Sequence, residues 1–115
     1  MADTNFEELS VQEKDAFGLS RAAVELDKAR QDKGNQAGLA NALNHNLELW
    51  VAIRTFVSKE ENNVPADVRE NLLKLGQYVA EVTFKSADGI SDQDVSSLVN
   101  INLQISEGLL EGAGK

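Results

Sequence analysis

Between Leu39 and Val57 apolar side chains return every three or four residues. Leu39, Leu43, Trp50, Ile53 and Val57 form one stripe, with Ala42, Asn46, Leu49 and Phe56 beside it. Such a period places them on one face of a helix and does not fit one face of a strand, whose side chains alternate with period two. The same period recurs at Ala16, Leu19, Ala23 and Leu26, where Phe17 and Val24 widen the stripe. It recurs again at Val68, Leu72, Leu75, Val79 and Val82, with Leu73, Gly76 and Thr83 alongside, and at Val95, Leu98, Ile101, Asn102, Ile105 and Leu109. A single proline and 5% aromatic residues point the same way, because sandwiches and barrels need frequent turns and draw on aromatic and β-branched residues. The sequence predicts an all-α chain: one domain over residues 1–115, a small antiparallel bundle of three to four helices with short connections and frayed ends at 1–9 and 112–115.

Boundaries follow from capping chemistry. Ser10-Val11-Gln12-Glu13 has the form of a capping box, which predicts a first helix from Val11 to about Lys33 with Gly34 as its C-cap. The second helix should run from about Gln36 to Ser58 and end in the polar run SKEENNV. Pro65 suits the first turn of a third helix, where its missing N–H costs nothing, with Asn62 or Asn63 as cap and an end near Lys85. Ser91, with Asp94 three residues on, caps a fourth helix that reaches about Glu111. Within it VNIN would also suit a strand, and Gly108 weakens the end.

Nineteen acidic residues against eleven basic ones give a net charge of −8, which opposes loose binding to phosphate backbones and anionic membrane surfaces. Cysteine is absent, so disulfides, thiolate zinc sites and thiol nucleophiles are excluded. The N-terminus, MADTNFEEL, is acidic where a signal peptide would be basic, and no run approaches the ~18 apolar residues that span a bilayer. The expectation is a soluble, cytoplasmic protein without a nucleic-acid, membrane or small-molecule partner.

No residue pattern points to an enzyme. His45 is the only imidazole, and Glu48 is the only carboxylate within one turn of it, two ligands at most for a metal. It reads as an exposed structural residue or as part of a binding surface. Glu60 with Glu61, and Asp92 with Asp94, lie at a loop and a helix start, where solvent should hold carboxyls near their ordinary pKa. The glycines form no phosphate-cradling loop, and no cofactor is expected. Asn46 and Asn102 are more informative, because both fall among inward-facing positions and a buried amide is costly unless hydrogen-bonded. Each either fixes helix register through an interhelical hydrogen bond or makes a polar contact to a partner chain. Between Lys85 and Lys115 every charge is acidic, so the fourth helix could dock on its own bundle or sit beside a partner helix in a groove.

The run ALNHNLELW, Ala42 to Trp50, followed by NNVPADVRENLLKLGQYV, Asn62 to Val79, resembles the signature of FlaF, a family of flagellum-biosynthesis regulators from α-proteobacteria. The pattern is an asparagine before a Leu-Trp pair, then Asn-x-Pro-x-x-x-Arg and an apolar helix, here Asn46, Leu49, Trp50, Asn63, Pro65 and Arg69. LVNINLQISEGL is similar to the family's closing segment, with Asn102, Gly108 and Leu109 in its places. The family's early tyrosine has only Phe17 as a stand-in, and its often basic middle is acidic here. Membership implies a role in making flagellin available, in functional opposition to a companion regulator, FlbT. The resemblance thus implies a flagellin-binding export chaperone or, alternatively, a post-transcriptional regulator of flagellin synthesis acting through FlbT.

Overall fold

A computed structural model describes residues 11–59, 65–85 and 89–113. They form four helices, α1 (Val11–Gln31), α2 (Gln36–Val57), α3 (Ala66–Lys85) and α4 (Asp92–Ala113), and no strand occurs among them. Ser10, Glu60, Glu61, Asn62 and Asn63, and with them the capping box and the asparagine caps expected before α3, lie outside the described residues.

Cap chemistry fixes the ends and corrects several predicted boundaries. α1 stops at Gln31 rather than Lys33 because Asn35, already the N-cap of α2, accepts the Gly38 N–H on its side chain at 3.0 Å. The chain must therefore leave one helix and orient the next within a few residues, and Gly34 makes the reversal at φ +92°, where a Cβ would be strained. α2 ends at Val57, with Ser58 as its C-cap. Pro65 sits one residue before α3, and its carbonyl accepts the first helical N–H, from Arg69, at 2.9 Å. It thus holds the cap position instead of the first turn, a place where its missing N–H is equally harmless. Ser91 Oγ accepts the Asp94 N–H at 3.0 Å, as its sequence position predicts. Beyond this cap α4 continues past Glu111 to Ala113, and VNIN is helical within it. Packing along α1 overrides the local strand preference of that run.

α1 is the central element. It packs along α4 in the most extensive contact of the fold and also packs on α2, which in turn carries α3, while α3 only touches α4. Residue numbers rise on α1 as they fall on its neighbours: Gly18 lies by Leu49 and Glu25 by His45 on α2, and Ala16 pairs with Ser106 and Lys33 with Asp92 on α4. Both neighbours are therefore antiparallel to it. One core joins all four helices through Leu19 and Leu26, Trp50, Ile53 and Val57, Leu72 and Val79, and Val95 and Leu98. The described chain measures 42 × 35 × 18 Å, thin enough for about two helices across. No helix among the described residues is long and apolar enough to cross a membrane.

The predicted apolar stripe of α1 is too wide. Ala16, Leu19, Ala23 and Leu26 are buried, but Phe17 and Val24 are 46% and 51% exposed. Each lies about 100° around the helix from a buried neighbour, beyond the face that α2 and α4 cover. The two sides of the bundle should respond oppositely to added methyl groups. At Gly108 a Cβ would meet nothing within 4 Å, so Gly108→Ala should stabilise the fold by about 0.5–1 kcal/mol. At Gly76 it would collide with Arg54 Cδ and Cγ, so Gly76→Ala should destabilise by roughly 1–3 kcal/mol. Denaturant midpoints of the two variants test this pair.

Candidate functional site

Polar groups converge at the centre of the bundle. Trp50 Nε1 donates to Asn102 Oδ1 at 2.9 Å. Asn102 Nδ2 donates to Asn46 Oδ1 at 2.6 Å and to the Leu19 carbonyl at 3.3 Å. All three side chains are 0% exposed. The direction of the chain is forced. An indole N–H can only donate, which turns the Asn102 oxygen toward Trp50 and its two amide hydrogens toward Asn46 and α1. Asn46 must then present its oxygen, and its Nδ2 is left buried without a hydrogen-bond partner.

One turn further along α4, Ser106 Oγ donates to the Ala16 carbonyl at 2.7 Å and lies 2.6 Å from Ser20 Oγ. Because the single Ser106 hydrogen is committed to Ala16, Ser20 supplies the hydrogen of the second bond. α4 is thus tied to α1 at two backbone carbonyls and to α2 through Trp50 and Asn46. Such close contact with α1 backbone is possible because α1 offers Ala16, Ala22 and Ala23 on its buried surface.

The residues singled out in the sequence divide between this lock and its surroundings. Asn46, Trp50 and Asn102 meet one another, which gives the interhelical reading of the two asparagines a definite geometry. Leu49 and Leu109 are half-buried and pack against the core. Arg69 is half-buried in the first turn of α3, Pro65 is exposed, and neither joins the triad. Asn63 lies outside the described residues. His45 is half-exposed, and its Nδ1 lies 3.2 Å from Glu25 Oε2 on α1, a partner twenty residues away that reading along one helix does not find. Ser20 and Ser106 were also missed, although Ser106 stands four residues after Asn102 and hence on the same face.

Among the described residues no three His, Cys, Asp or Glu side chains gather as metal ligands. Asp92 differs from the expectation of an ordinary carboxyl: its hydrogen bond to Lys33, at 2.6 Å, lowers its pKa. Asp15, half-buried on α1, has its pKa raised by desolvation. With the folded pKa above the unfolded one, the folded state binds the proton more readily, so this group's contribution falls as pH rises through that interval and is unfavourable at neutral pH. Asp15→Asn should therefore raise the melting temperature at neutral pH, and the gain should disappear below about pH 4. A second prediction ranks the lock residues. Asn102→Ala strands the indole N–H and the Asn46 oxygen together, whereas Asn46→Ala leaves Asn102 bonded to Trp50 and Leu19. Asn46→Ala should cost roughly 1–3 kcal/mol, and Asn102→Ala more, in equilibrium unfolding.

The arrangement holds helices in register. A family model described as Flagellar protein FlaF matches residues 2–109. No curated protein and no solved structure matches the chain significantly.

Proposed function

Because the chain belongs to the FlaF family of flagellar proteins, with nearly its whole length matched, we propose that it acts by binding, as a cytoplasmic export chaperone for flagellin. The family membership carries this reading. The structure supports it in that large apolar side chains stand exposed on the helices, as a binding surface requires. The terminal segments of flagellin are amphipathic and prone to aggregate, and a small helical bundle can cover such a segment by burying its apolar side. Export requires release, so a moderate affinity suits the role.

The rival reading is regulation of flagellin synthesis at the transcript, through a partner of the FlbT type. A net charge of −8 favours an indirect route over direct RNA contact. Calorimetric titration of the chain against purified flagellin separates the two. Binding with a Kd around micromolar is expected; absence of binding at that concentration, together with salt-sensitive binding to the 5′ leader of the flagellin transcript, would reject the chaperone.

A further inference from the structure

The outer side of the α1–α4 seam carries two rows of apolar side chains that no other described residue covers. On α1 the row is Phe17 and Val24, and on α4 it is Leu103 and Leu110, 45% and 37% exposed, with Val99 half-buried before them. Members of each pair are seven residues apart, two helical turns, so each row runs along its helix. The hydrogen bond between Ser20 and Ser106 places the rows side by side. Ser20 lies three residues from Phe17 and four from Val24, and Ser106 lies three from Leu103 and four from Leu110, so that bond forms the floor between them. Gly18 and Glu25, which meet α2, lie around α1 on the other side. Because α1 and α4 are antiparallel, both rows turn outward to the same side. Together they make one apolar strip, about 17 Å long from Val99 to Leu110 at 1.5 Å per residue.

Its edges differ in charge. Arg21 and Lys28 border the strip on α1, both exposed and neither in an ion pair among the described residues. On α4 the bordering charge is Glu107, which is also exposed. We propose that this strip docks one amphipathic helix of a partner protein, apolar on its inner side and acidic along the flank that lies over α1. The length suits a single helix of about three turns. A second copy of the chain would bring a net charge of −8 against the same charge, which disfavours self-association. The inference rests on the reading that the protein binds an amphipathic segment, and it names the place and the charge pattern.

The test uses the full chain and two synthetic helical peptides with the same apolar residues, identical except along one flank, which carries glutamates in one and lysines in the other, titrated by fluorescence anisotropy. The glutamate peptide should bind about tenfold more tightly. Reversing the edge with Arg21→Glu and Lys28→Glu should invert that order, and Val24→Glu with Leu103→Glu should weaken both peptides by at least about tenfold. Phe84→Ser, at a 70% exposed position on α3, should change nothing. The edge variants alter only exposed charges, so they keep the proposal testable if the strip variants fold poorly. Equal affinity for the two peptides, or loss of binding on Phe84→Ser but not on the strip changes, would overturn it. So would a wild-type dimer in solution that the strip changes dissociate. Flagellin serves as a separate arm. Flagellin bound equally by wild type and strip variants overturns this placement and leaves the chaperone reading standing, whereas the expected peptide ranking without flagellin binding supports the strip and overturns flagellin as the partner.

Discussion

The indole N–H of Trp50 has one thing it can do, which is donate, and the arrangement of the bundle depends on its acceptor being Asn102. Apolar contacts between helices tolerate sliding, since one leucine can replace another a turn away at modest cost. A buried amide cannot slide without losing partners in a low-dielectric interior. By meeting Trp50 and Asn46 on α2 and the Leu19 carbonyl on α1, Asn102 sets the register of α4 against both helices at once. Ser106, bonded to the Ala16 carbonyl, repeats the constraint one turn later. The small residues of α1 fit this: alanines at 16, 22 and 23 let α4 side chains approach the backbone carbonyls of Ala16 and Leu19.

This lock separates the inside of the protein from the surface that remains for partners. The family resemblance runs through Asn46, Trp50 and Asn102, and all three are sealed from solvent. At these three positions the signature marks how the helices are held together. The surface proposed to meet a partner is the outer side, where α1 and α4, fixed together by their hydrogen bonds, present apolar rows with unlike charged edges. A rigid pair of helices is a suitable platform, because binding to it orders little that is not already ordered.

The fold was largely legible because the apolar period of each helix is long and regular, and the cap of α4 at Ser91 lies where residue chemistry puts it. Asn46 and Asn102 could be suspected for the same reason, as amides on otherwise apolar stripes. The errors have a common physical origin. Phe17 and Val24 are apolar and adjacent to buried positions, and only the placement of α2 and α4 decides that they face outward. The Glu25–His45 pair and the Ser20–Ser106 bond join different helices, and periodicity along one helix carries no information about the rotation of its neighbour. Pro65 shows the remaining limit: cap and first-turn positions both tolerate a missing N–H, so proline alone does not distinguish them.

The central claim is that Asn46, Trp50 and Asn102 hold the bundle closed and stay closed when a partner binds. Hydrogen exchange of the Trp50 indole N–H, followed by NMR in the free protein and in the presence of saturating flagellin, tests it most directly. The account predicts strong protection in both states, with exchange only through global unfolding. Rapid exchange in the free protein, or protection lost on binding, would mean that α4 leaves α1 and α2 and that the partner takes its place in the core.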